Sequence, residues 1–200
     1  MKRQILIIDD SIRSRVMLAQ AFERLGFGVA GEGASGADAI RLATELQPDV
    51  LLLAVGLPDM DGVTTAAQIL EAHPLPIIML SSHLDAEVIQ RAKEAGVMAY
   101  LAKPLREEEL LPAIELAVSR FEEFTALRKE NEDLKRTLEG RKVIERAKGV
   151  LMEREKISEQ QAFAKIQKAS MNTRRPMVDI AQAILLNEEV AGRDTQPSRG

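Results

Sequence analysis

The apolar run Val50-Leu51-Leu52-Leu53, bounded by Pro48 on one side and by Gly56 and Pro58 on the other, constrains this chain most. A strand apolar at every successive position has no face to offer water. It belongs inside a parallel sheet covered by helices on both sides. The same style of segment recurs, and strands are expected near 4–9, 28–31, 49–54, 76–81 and 98–102. Amphipathic helices are expected between them, near 12–25, 36–46, 62–72, 86–95 and 106–120. Five such βα units predict an α/β doubly wound fold with a five-stranded parallel sheet over residues 1–120.

In such folds functional groups collect at the carboxyl ends of adjacent strands. The strand Ile5–Ile8 ends in Asp9 and Asp10, a pair suited to a hard divalent cation. Ser81 closes the fourth strand, and Tyr100 and Lys103 lie at the fifth. A hydroxyl, an ammonium and two carboxylates at neighbouring strand ends would surround one phosphoryl group. A carboxylate at position 54 could accept that group, but Ala54 stands there. The chain lacks cysteine, which excludes disulfides and thiol chemistry. It has no Ser-His-acid set, P-loop or Rossmann glycine fingerprint, and no enzyme is expected. His73 and His83 read as incidental surface or loop residues. No apolar stretch is long enough for a membrane span, and a cytoplasmic protein is expected.

The segments ILIIDDS, PDVLLLAVGLPDMDG, PIIMLSS and AYLAKP resemble the receiver domain of two-component response regulators. That resemblance implies a flavodoxin-like fold in which Asp9 and Asp10 are the acidic pair, Ser81 the switch hydroxyl, Tyr100 the switch aromatic and Lys103 the invariant lysine. It places the phospho-acceptor on Ala54 and lends the cation a backbone oxygen from Gly56. Mg²⁺ would be held by Asp9, Asp10 and Gly56, weakly without the third carboxylate. Two origins for Ala54 stay open, a natural pseudo-receiver and an engineered variant. A sensor histidine kinase is an implied partner.

Beyond the receiver-like region, Ile114, Ala117, Phe121, Phe124, Leu127, Asn131, Leu134 and Leu138 recur at spacings of three or four. This seam predicts a coiled-coil linker over 113–139 that joins two chains, with Asn131 as a register-setting polar residue. Gly140 is expected to end that helix, and three short helices are expected near 141–154, 158–171 and 176–187. Phe163 is expected in their small core, beside Ala162 and Ile166. Residues 191–200 are expected to be a disordered tail.

Charge divides the chain in the same way. Residues 1–120 carry 11 Lys/Arg against 17 Asp/Glu, whereas residues 141–190 carry 10 against 7. The stretch RKVIERAKGVLMEREKISEQQAFAKIQKASMNTRRPMVDIA resembles the ANTAR domain, the three-helix RNA-binding module of transcription antiterminators. The order of receiver, coiled coil and ANTAR domain (140–190) is that of an ANTAR response regulator. The resemblance implies a homodimer that binds RNA hairpins and promotes antitermination. Candidate RNA contacts are Arg141, Lys142, Arg146, Lys148, Gly149, Asn172, Arg174 and Arg175. Two alternatives remain: a receiver-controlled DNA-binding regulator and a protein-interaction scaffold.

Overall fold

The computed structural model describes residues 2–82 and 85–194, with side chains described as far as Glu188. His83 and residues 195–200 lie outside the described residues. The chain divides into two compact units, residues 1–126 and 127–200.

The first unit contains β1 (Gln4–Ile8), α1 (Ile12–Arg24), β2 (Gly28–Gly33), α2 (Gly36–Leu46), β3 (Val50–Ala54), α3 (Gly62–Ala72), β4 (Ile77–Ser81), α4 (Ala86–Ala95) and β5 (Ala99–Ala102). The strands form the expected five-stranded parallel sheet, and the structure gives their order as β2-β1-β3-β4-β5. Alternation of side chains along a strand sends neighbours to opposite faces. Ile5, Ile7, Val50, Leu52, Ile78 and Leu80 accordingly pack with Leu18 and Phe22 of α1. Leu6, Ile8, Leu51, Leu53, Ile77 and Met79 pack on the other face with Ala39, Val63, Ile69 and Ala92 of α2, α3 and α4. Order 2-1-3-4-5 reverses direction between β1 and β3, so a crevice opens where Asp9 and Ala54 end their strands.

One helix, α5 (Glu107–Glu155), follows β5 and contributes residues to both units. Its Leu110, Ala113, Ile114 and Ala117 complete the α1-side core. The break expected at Gly140 does not occur. A single glycine costs a helix only about 1 kcal/mol relative to alanine, less than breaking the hydrogen-bonded ladder. Gly140 serves packing instead: a Cβ on it would stand 3.0 Å from Val178 Cγ2.

The second unit adds α6 (Glu159–Thr173) and α7 (Met177–Asp194) to the end of α5. Helix α7 runs past the expected boundary, so residues 191–194 are helical rather than tail. Ala147, Leu151, Ala162, Ile166 and Ala181 form its core, with Ile144, Ile157, Ile180 and Ile184 around them. The capping box is complete. Ser158 Oγ accepts the Gln161 N–H, and the Gln161 side chain accepts the Ser158 N–H.

Candidate functional site

The crevice is built around a buried charge. Asp9 is 0% exposed, and its Oδ1 accepts the Ser11 N–H at 3.0 Å. Lys103 Nζ stands 2.5 Å from Asp9 Oδ2. The approach is an ion pair without the angular geometry of a hydrogen bond, so Oδ2 is left with no hydrogen-bond partner. Lys103 is held there by its own N–H, which donates to the Ser81 carbonyl at 2.7 Å. Arg15 approaches from α1, donating to the carbonyl of Asp9 at 2.7 Å and pairing with Glu32 at 3.5 Å. Asp10 is exposed and Ser81 is buried at the end of β4. The Tyr100 ring packs on the α3/α4 side of the sheet, and its buried hydroxyl has no hydrogen-bond partner.

Ala54 lies at the end of β3, opposite Leu80, and its methyl group is 1% exposed. The nearest acidic residues in sequence are all engaged elsewhere. Asp49 accepts the Gln4 N–H at 2.6 Å. Asp59 accepts the N–H groups of Gly36 and Ala37, which hold its carboxyl below the usual carboxylate range. Asp61 caps α3 through Val63 and Thr64 and pairs with Arg91 at 2.6 Å. Partial burial pushes Asp61 up, but hydrogen bonds from Thr64 and Arg91 outweigh it and the net shift is downward. Gly62 packs so closely that a Cβ on it would stand 2.2 Å from the Ala54 carbonyl oxygen.

As a cation site the crevice is incomplete. Mg²⁺ prefers six oxygens in octahedral geometry. Asp9 Oδ2 is an orphaned acceptor and Asp10 an exposed carboxylate, which fits one face of that shell. Among the described residues no group of three or more metal-binding side chains occurs. Gly56, the expected backbone ligand, is exposed in the loop after β3.

In the second unit the structure separates residues that composition treats alike. Lys148 is only 6% exposed, contrary to its expected place on a binding surface. Its Nζ donates to both Glu145 oxygens at 2.9 and 2.8 Å and to Glu159 at 2.6 Å, tying α5 to the start of α6. These bonds, to Glu145 first and then Glu159, raise the Lys148 pKa above its ordinary value. Lys142 is exposed but paired with Glu139 at 3.0 Å. Arg141, Arg146, Asn172, Arg174 and Arg175 are exposed. The four arginines have no ion pair among the described residues. Arg146 lines an open groove of about 480 Å³ with Val143, Gln182, Leu185 and Leu186. Around Gly149 a Cβ would meet nothing within 4 Å, so the backbone is open to approach.

Phe163 is also not where it was expected. It is 42% exposed and outside the core. The periodicity contained the signal: Ala162 and Ile166 define the buried face, and Phe163 lies a ~100° step around from Ala162. The seam residues Phe124, Leu127, Asn131, Leu134 and Leu138 are all exposed within one chain, and Phe121 is half-buried.

A receiver-type α/β unit with an acidic strand end, a lysine directly after β5 and a helical extension has the parts of a response regulator. Residues 5–115 match the response regulator receiver domain model, and residues 132–185 match the ANTAR domain model. The transcriptional regulatory protein PdtaR of Mycobacterium tuberculosis is 40% identical over 183 residues, covering 92% of this chain and 89% of PdtaR. This chain belongs to the response regulators that join a receiver domain to an ANTAR domain. The signal receiver domain of a modulated diguanylate cyclase from Desulfovibrio desulfuricans G20 superposes with a TM-score of 0.57 at 36% identity. It covers 61% of this chain and 98% of that domain. A protein-glutamate methylesterase/protein-glutamine glutaminase of Halobacterium salinarum matches at 34% identity over 127 residues, covering 58% of this chain and 37% of the methylesterase. The match with it is confined to the receiver region. No helix among the described residues is long and apolar enough to cross a membrane.

The Lys148 node generates a prediction. Lys148 holds Glu159 below its ordinary value of 4.5, so the carboxylate's contribution is present above 4.5 and is lost as pH falls through the depressed value. Lys148 is raised above 10.5, so its contribution is present below 10.5 and is lost as pH rises through the raised value. Lys148→Met is expected to lower the Tm across the window between those limits. The gap from wild type should close in acid. Thermal melts of both proteins from neutral to acid pH provide the check; a gap that stays constant would assign the effect to packing and not to the ion pairs.

Proposed function

We propose that this chain is a dimeric, RNA-hairpin-binding regulator that promotes transcription antitermination, with a receiver that takes up no phosphate. The carrying observation is the alignment with PdtaR through receiver, long helix and ANTAR domain alike. PdtaR is a transcriptional regulatory protein, and this and the RNA-binding character of ANTAR modules support the reading. Unpaired cations on the helical unit supply the electrostatic term that nucleic-acid binding needs. The exposed seam from Phe121 to Leu138 would become the buried seam of a parallel coiled coil. A long exposed helix has few other routes to stability in water.

In the crevice, Asp9 and Asp10 would hold Mg²⁺ at most weakly, with water filling the remaining positions and Lys103 displaced from Asp9. The ion would supply charge neutralisation for a phosphoryl group. The chain's own residues position Lys103 and Ser81 for the same task, but the methyl group of Ala54 has no oxygen to phosphorylate. A sensor kinase could therefore dock on the receiver without transferring phosphate.

Three outcomes check this reading. Small phosphodonors with Mg²⁺ should leave the protein unlabelled, while Ala54→Asp should acquire label. Phosphate mapped to Asp59 or Asp61 in the unaltered protein would sink the assignment. Leu134→Asp should dissociate the dimer in sedimentation, because an unpaired buried charge costs ~3–5 kcal/mol. A wild-type protein that sediments as a monomer at high concentration would reject the seam. RNA binding should fall steeply with salt, and Arg174→Glu should weaken it more than Lys129→Glu on the seam helix. Loop-base changes should cost ~1–3 kcal/mol per lost contact, by analogy with base readout in DNA. Stem swaps that keep pairing should cost little, since the deep A-form groove excludes side chains.

A further inference from the structure

We propose that Phe163 is a stacking platform for an unpaired nucleobase in the loop of an RNA hairpin; this rests on the RNA-binding reading above. A ring at the surface of a polar helix calls for an occupant. Phe163 is 42% exposed and takes no part in the core of its unit. The one ring–ring contact among the described residues is Phe22 with Phe27, in the other unit. At ~100° per residue, Gln167, Ser170 and Met171 all project within ~80° of Phe163, and Arg174 caps the helix beyond them in left-handed conformation. Met171 is the most exposed of the large apolar side chains among the described residues, at 73%.

Charge identifies the occupant. The helical unit pairs many of its cations internally: Lys142 with Glu139, Lys148 with Glu145 and Glu159, and Lys165 with Glu155. Glu159, the one carboxylate on the Phe163 side of α6, is neutralised by Lys148. Arg174 and Arg175 have no ion pair among the described residues, and both stand in the turn that ends this face. The face therefore offers a flat apolar ring and, beyond it along the helix, uncompensated guanidinium groups. The ring and the turn lie ~16 Å apart along the helix, so a hairpin strand of several nucleotides carries the complement of both, a base π-face at one end and phosphates at the other. A second copy of this chain would meet the face with the same positive charge across a two-fold contact. The Gln167 amide, one turn along and ~40° around from the ring, stands where it can reach the edge of a splayed base.

The test uses the full chain and RNA hairpins with a fixed stem and a randomised loop, from which binders are selected. Phe163→Ala should lower their affinity about 5- to 150-fold, the range for removal of an aromatic base stack. Phe163→Tyr should retain affinity, and Phe163→Leu should lose most of it despite keeping an apolar side chain. Replacing one loop nucleotide with an abasic site should erase the difference between wild type and Phe163→Ala. The salt dependence should be unchanged in Phe163→Ala but shallower by about one ion in Arg174→Ala. The proposal is overturned if Phe163→Ala or Phe163→Leu binds the selected hairpins like wild type. It is equally overturned if Phe163→Ala halves the sedimenting mass, which would make this face a contact between copies. If wild type prefers no hairpin over duplex DNA, the RNA-binding reading itself fails and takes the proposal with it; hairpin binding that survives loss of the ring rejects the stack alone.

Discussion

A carboxylate with no access to water organises the receiver. Asp9 ends a strand buried on both faces, so its charge needs a counter-ion and a donor within the protein. Lys103 supplies the first from β5 and the Ser11 N–H supplies the second from the turn into α1. Arg15 then fastens the carbonyl at the same strand end. The ends of β1, β4 and β5 are thereby fixed in relation to one another, through the Ser81 carbonyl and the Lys103 N–H as well as the ion pair. Breaking such a pair from one side strands the other charge in a dry site, which is far more costly than the pair is stabilising.

The methyl group of Ala54 sits within this arrangement without disturbing it. Each neighbouring carboxylate already has structural work: Asp59 on the N-terminus of α2, Asp61 on that of α3, Asp49 on the β1 backbone. Helix N-termini favour negative charge and have unpaired N–H groups to offer, so these aspartates gain more where they are than in the crevice. The close approach of Gly62 to the Ala54 carbonyl further fixes the backbone there. At the end of β3 the crevice thus presents a buried methyl group and no side-chain oxygen.

In the helical unit, pairing matters more than count. The excess of cations over residues 141–190 is modest, and three lysines are matched by glutamates one turn or one helix away. What remains unmatched includes the arginines of the α6–α7 turn, ~16 Å along α6 from Phe163. A weakly basic domain can in this way present a strongly basic patch, because internal ion pairs remove charge from the rest of its surface.

The sheet and its crevice were legible before any coordinates. Doubly apolar runs such as Val50–Leu53 leave no alternative to double burial, and strand alternation assigns each residue to a face. Asp9, Ser81 and Lys103 could be placed together because the topology of a parallel sheet brings its carboxyl ends to one edge. Other features depended on contacts between segments distant along the chain. Gly140 reads as a helix stop by propensity, but Val178 packing against it makes it a helix interior. Lys148 reads as a surface cation, but Glu145 on its own helix and Glu159, eleven residues on, hold it between α5 and α6. Phe163 reads as core by composition, yet the rotation of α6 that buries Ala162 and Ile166 turns the ring outward. Local pattern determines which elements form and which face is apolar; the partner each side chain meets is a matter of tertiary packing, because burial and pairing are properties of two segments at once.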